Sequence, residues 1–138
     1  MTGMINFTIP GKPQGKARPR FNTYTGRAYT PNKTGAYEKL IALCYRQAGG
    51  KLLEGAIRID IKAYYPIAKS HTKKNKAAME SGEIKATIKP DIDNVAKAVL
   101  DGLNGVAFED DKQVINLRIA KAYANEARLE IEVESEKI

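Results

Sequence analysis

Five aspartates, Asp91, Asp93, Asp101, Asp110 and Asp111, fall within 21 residues of an otherwise basic chain, and two of them flank a single residue in Asp91-Ile92-Asp93. Carboxylates held close together repel one another and raise each other's pKa, so a fold that gathers them needs a cation or a basic partner to offset the repulsion. An all-oxygen set of this kind suits magnesium, which keeps several waters and is commonly held by one to three carboxylates together with substrate phosphate. Zinc and other soft-ligand metals are excluded within one chain, because it has a single His and a single Cys. Bound magnesium can polarise a phosphoryl oxygen and activate water, which is the chemistry of phosphodiester hydrolysis.

The elements that must position these acids are legible in the surrounding pattern. On a helical wheel at about 100° per residue, Val95, Ala96, Val99, Leu100 and Leu103 form one continuous arc, and Asp93, Asn94, Lys97 and Asp101 form the opposite one. The spacing predicts a helix over 94–103, capped by Asp91 or Asp93 and closed by Gly102 and Gly105. Lys97 stands four residues from both Asp93 and Asp101, so its ammonium can reach either carboxylate and can stabilise charge developing on a transferring phosphate. Beyond the helix, a loop through Glu109 can return Asp110 or Asp111 to the helix N-terminus, where three carboxylates could converge.

A plainer account competes with this one: one acid caps the helix, Asp101 pairs with Lys97, and Glu109-Asp110-Asp111 is a solvated turn. It explains Asp101 fully. It leaves the second acid of Asp91-Ile92-Asp93 without a role, and the functional reading is preferred there. His71, beside a Lys-rich exposed segment, reads as a surface histidine.

The net charge of +7 is unevenly placed. Residues 1–50 carry eight basic side chains against the single acid Glu38, whereas residues 51–138 carry 15 of each sign. The excess in Lys12, Lys16, Arg18, Arg20, Arg27 and Lys33 predicts phosphate contacts, with nucleic acid as the partner. Lys73, Lys74 and Lys76 add a second basic group.

Outside the acidic segment, the alternation of Ile5, Phe7 and Ile9 predicts a strand ended by Pro10, followed by a Gly/Pro-rich loop over 11–31 with a short hairpin around Thr25-Gly26. A helix capped by Asn32 or Thr34 runs to Gly49-Gly50, residues 56–66 form a second strand, and a short exposed helix lies within 67–82. Two alternating runs joined at Asn125-Glu126 predict a C-terminal hairpin. The order implies an α/β (α+β) fold: one small domain over 1–138, with a mixed sheet and helices mainly on one face. A length of 138 residues and 43% hydrophobic content fit one core without disulfides, and Cys44 reads as a buried inert thiol. There is neither a signal segment nor an apolar run long enough for a bilayer, which points to a cytoplasmic protein with no membrane partner.

The run KPDIDNVAKAVLDGLNG followed by EDDKQV resembles the RusA family of Holliday-junction resolvases, and GKPQGKARPRF, GRAYTPNKT and YEKL resemble its basic opening loop and first helix. Two separated multi-residue motifs in the right order make this far more specific than a lone Asp-x-Asp. The resemblance implies metal-binding catalytic residues at Asp91, Asp93 and Asp111, an essential lysine at Lys97, an orienting residue at Asn94 and secondary acids at Asp101 and Asp110. It also implies a Mg2+-dependent homodimer, with Mn2+ able to substitute and no small-molecule cofactor, that makes paired nicks in a four-way DNA junction during recombination and repair, often in phages or prophages. A two-fold dimer suits a two-fold junction. Tyr24, Phe21 and Phe108 are candidates for stacking on exposed bases. Two other functions fit the same residues: a non-catalytic DNA-binding protein, and a metal-dependent nuclease acting on forks or flaps.

Overall fold

A computed structural model describes residues 3–16, 20–29 and 32–136, the side chains at 20–22, 28, 29 and 32–34 excepted. The elements in chain order are β1 (Gly3–Pro10), β2 (Arg20–Asn22), β3 (Arg27–Tyr29), α1 (Asn32–Gln47), β4 (Ile57–Pro66), α2 (Lys73–Glu80), α3 (Ile92–Leu103), β5 (Val114–Ala124) and β6 (Arg128–Ser135). The mixed sheet has the order β1-β6-β4-β5, and β2-β3 is a separate hairpin. Gly26 turns that hairpin at φ +70°, a conformation that glycine adopts without a Cβ penalty.

Alternation decides which face of each strand is buried. Register aligns Phe7 with Ile131 and Ile131 with Ile61, and the next rungs align Ile9 with Leu129 and Leu129 with Ala63. All six are buried on the side covered by α1 and α3. Each such isoleucine or leucine contributes about 2 kcal/mol by leaving water. The opposite face carries Glu130, Glu132, Asp60 and Lys62 and stays wet.

The C-terminal hairpin expected from the sequence is corrected: β4 lies between β5 and β6, antiparallel to β6 and parallel to β5. A short turn read from sequence fixes that the chain reverses, but not that the two strands touch. β4 has the most buried side chains of the four strands, Ile57, Ile59, Ile61, Ala63 and Tyr65, and it lies with β6 in the interior of the sheet. β5 is left at the edge, where Ile115 and Leu117 are exposed.

Helix α3 lies against α1, and its wheel holds. Val95, Ala96, Val99 and Leu103 are buried, while Asp93, Lys97 and Asp101 face solvent. Two boundary details differ from expectation. The helix begins at Ile92 and not Asn94, and Gly102 lies inside it, buried against α1. A Cβ there would come within 3.0 Å of Ile41 Cβ and 3.1 Å of the Glu38 carbonyl oxygen, so glycine permits the close crossing of the two helices and does not act as a stop. α2 is capped by Thr72, whose hydroxyl accepts from the Asn75 amide; Met79 is its buried side chain, and Glu80 accepts from the Asn125 side-chain amide. Among the described residues no helix is long and apolar enough to cross a membrane.

Candidate active site

The N-terminus of α3 presents Asp91 at the N-cap position with extended φ and ψ of −66° and 156°, yet its side chain makes no capping hydrogen bond. Only its backbone oxygen serves the helix, accepting from the Val95 amide at 3.1 Å. The carboxylate is exposed and makes no hydrogen bond among the described residues, next to Asp93 in the first turn. The capping role offered by the plainer account is not performed by Asp91.

The segment before Asp91 is held from below. Tyr65, fully buried at the end of β4, donates from its hydroxyl to the Pro90 carbonyl oxygen at 2.7 Å. Burial, and secondarily the charge of Asp91, pushes the Tyr65 phenol up to about 12, so it stays a donor throughout the neutral range. The Lys121 ammonium sits 4.9 Å from the Tyr65 ring centroid and donates to the Ile88 carbonyl oxygen. Nearby, the buried Tyr37 hydroxyl meets no partner in hydrogen-bonding geometry among the described residues. Its phenol is likewise pushed to about 12 by burial, against a lowering influence from the Gln14 backbone.

From above, the start of the basic loop lies directly on the helix. The Lys16 amide donates to the Asn94 carbonyl oxygen at 3.0 Å. A Cβ on Gly15 would fall 2.9 Å from Asn94 Cβ and 3.0 Å from Pro90 Cβ, closer than side chains tolerate. The Lys16 ammonium reaches Glu38 Oε2 at 2.8 Å and Asp101 Oδ2 at 3.0 Å, joining the loop to α1 and α3 at once.

The expected pairing of Asp101 is corrected. Asp101 pairs with Lys16 and not with Lys97, which forms no ion pair among the described residues. Lys16, expected to contact phosphate, already has two carboxylate partners. Sequence reasoning also missed Glu38, although its being the sole acid among the first 50 residues was a signal.

Asp110 and Asp111 divide the work at the other end. Asp110 caps the 3₁₀ turn Asp111–Gln113, its Oδ1 accepting from the Lys112 amide at 3.0 Å. Gln113 returns the bond, its Oε1 accepting from the amides of Glu109 and Asp110, and its Nε2 donates to the Gly55 carbonyl oxygen at 3.0 Å. That amide bond from Lys112, with a hydrogen bond shared with Asp111, holds the Asp110 carboxyl below its ordinary value. Asp111 is pushed up by the same shared hydrogen bond and by repulsion from Asp110 and Asp101. Asp110 is thus occupied as a cap, while the Asp111 carboxylate is exposed and shares a hydrogen bond with it.

The convergence of three carboxylates is not found in this chain alone: among the described residues no three His, Cys, Asp or Glu side chains are gathered to hold a metal ion. The donor chemistry nonetheless fits a hard cation. The donors are exposed carboxylate oxygens, Asp91 is free of capping duty, Cys44 is half-buried on α1 with its thiol pushed up by burial, and His71 is exposed away from the acids in sequence. Of the basic candidates, Lys12, Arg27, Lys73 and Lys74 are exposed and Lys76 is half-buried. Arg18 and the side chains of Arg20, Lys33 and Phe21 lie outside the described residues. Phe108 is fully buried in the core, which removes it as a stacking platform, while Tyr24 is 98% exposed.

A small one-sided α+β domain carrying an acidic helix terminus beside a basic loop defines the class. The sequence profile of the family described as Endodeoxyribonuclease RusA matches residues 10–134, and the chain belongs to that family. It is also 36% identical over 132 residues to the uncharacterized protein YqaN of Bacillus subtilis (strain 168), covering 92% of this chain and 93% of that one. Family membership makes the chain a nuclease of the endodeoxyribonuclease type and implies Holliday-junction resolution.

Proposed function

We propose that this protein is a magnesium-dependent, homodimeric endonuclease that resolves four-way DNA junctions by paired symmetric nicks. The observation that carries the reading is the uncommitted carboxylate of Asp91, exposed at a helix start where a capping bond would ordinarily occupy it, in a chain of the RusA family.

Asp91, Asp93 and Asp111, which are not gathered at one point among the described residues, would hold the ion together with substrate phosphate. When bound, the ion supplies Lewis-acid polarisation of the phosphoryl oxygen and acidifies water. Asn94, half-buried beside Asp93, orients a carboxylate. Lys97, exposed and without an ion pair among the described residues, reaches the phosphate and offsets the negative charge that grows on it. Lys12, which precedes the segment lying on α3, and Arg27, on β3, are exposed, and they meet backbone phosphates of the DNA. Two copies related by a two-fold axis each address one strand of a symmetric junction.

The test is a cleavage assay on a synthetic four-way junction, a fork, a flap and linear duplex, with and without Mg2+. Symmetric nicks confined to the junction and dependent on the metal are expected. Preferential cutting of forks or flaps would transfer the same residues to another specificity, and binding without any cutting would make this a DNA-binding protein that lacks nuclease activity.

A further inference from the structure

The backbone that carries Asp91 is fixed by two side chains from the sheet, neither of which lies in the acidic segment. Tyr65, at the C-terminal end of β4, binds the carbonyl oxygen of Pro90, the peptide unit that leads directly into Asp91. Lys121, on the neighbouring strand β5, binds the carbonyl oxygen of Ile88 and lies over the Tyr65 ring. Strand pairing sets their spacing, since Ala63 aligns with Lys121 and Tyr65 with Tyr123.

Orienting the Pro90–Asp91 peptide plane fixes the direction in which the Asp91 Cα–Cβ bond leaves the chain. Asp91 has no side-chain hydrogen bond of its own at the cap to do this. Its aim therefore comes from the backbone beneath it. Tyr65 is wholly buried, and its hydroxyl has a polar target where an ordinary core position would take phenylalanine.

We infer that Tyr65 is a positioning residue for the candidate metal site, with Lys121 as a second hold: together they pre-orient the Asp91 carboxylate for a divalent cation. The inference rests on the reading of Asp91 as a metal ligand. Groups that orient a metal's ligands commonly change metal affinity by 10- to 100-fold when removed, so about tenfold is expected for this indirect hold through the backbone.

The test titrates Mn2+ into the full-length protein without DNA, following free ion by electron paramagnetic resonance, for wild type, Tyr65→Phe, Lys121→Met and Asp91→Asn. The metal dependence of junction nicking is measured in parallel. Tyr65→Phe is expected to weaken Mn2+ binding about tenfold and to raise the metal concentration for half-maximal nicking by the same factor. Most of the rate should return at saturating metal, which a general loss of structure would not allow. Lys121→Met should shift binding in the same direction by less. Because its position is half-buried on an edge strand, it decides the matter should Tyr65→Phe lose its cooperative unfolding transition. Unchanged Mn2+ binding in folded Tyr65→Phe, with binding lost in Asp91→Asn, overturns the positioning role and leaves the metal reading standing. Unchanged binding in Asp91→Asn as well overturns both.

Discussion

Lys16 and Asp101 meet at 3.0 Å, and the same ammonium is 2.8 Å from Glu38, so one side chain at the root of the basic loop is shared between the two helices that cover the sheet. The Lys16 pKa is raised, first by its hydrogen bond to Glu38. A raised lysine contributes stability that is present below its unfolded value of 10.5 and is lost as pH climbs through the higher folded value.

Lys16→Met should leave Glu38 and Asp101 facing each other without a cation. Side chains about a quarter exposed at Lys16 and Glu38 place this between a surface pair and a buried one, so a loss on the order of 1 kcal/mol is expected in urea unfolding. A double-mutant cycle with Asp101→Asn should return a coupling energy of about 0.5 kcal/mol or more. Additive effects would show that the contact is incidental.

Asp91→Ala separates a capping role from a chemical one. An N-cap acid replaced by alanine typically costs about 1 kcal/mol, but Asp91 makes no such bond. Its replacement should therefore change unfolding stability by less than about 0.5 kcal/mol while abolishing nicking and leaving junction binding intact. Chelation of the metal should reproduce the same loss of nicking in the wild type, reversibly on addition of Mg2+ or Mn2+. Retained cleavage in Asp91→Ala removes that residue from the mechanism.

Arg27→Ala and Lys12→Ala probe the loop. Both side chains are exposed, and removing a cation that neutralises one phosphate should make the slope of log binding constant against log salt shallower by about 0.9 for duplex arms. The slope is read from junction titrations at several salt concentrations. An unchanged slope in both variants would move the DNA interface elsewhere, with the α2 lysines Lys73 and Lys74 as the next positions to test.

Alkaline titration should reveal three buried phenols, Tyr37, Tyr45 and Tyr65. Tyr37 and Tyr65 are each raised from 10.0 to about 12 by burial. Because the folded state holds these protons more tightly than the unfolded chain, their contribution is intact below pH 10 and is lost as pH rises toward 12. Stability should fall by a few kcal/mol across that window, and the share of the phenolate absorbance that belongs to the buried residues should appear together with unfolding. Tyr65→Phe should flatten part of the decline.

The strands around Phe7, Ile59 and Ile131 and the amphipathic helix over 94–103 were written in periodicity, because burial on one face imposes a repeat of 2 or 3.6 on the sequence itself. The acidic segment and the basic excess before residue 50 were equally plain, since charge is carried by residue type. Sequence also narrowed the chemistry to oxygen donors, through the scarcity of His and Cys. Adjacency between distant segments was beyond it. That β4 enters between β5 and β6 depends on which strand most needs burial on both edges, a competition settled only when the sheet assembles. That Asp101 takes Lys16 in place of Lys97, four residues away on the same helix, that Asp110 caps the turn before β5, and that Tyr65 binds the Pro90 carbonyl oxygen ahead of Asp91 all depend on distances that sequence spacing does not give. Helix spacing gives the neighbours along one helix, whereas the partners across elements are chosen by packing, which no local pattern encodes.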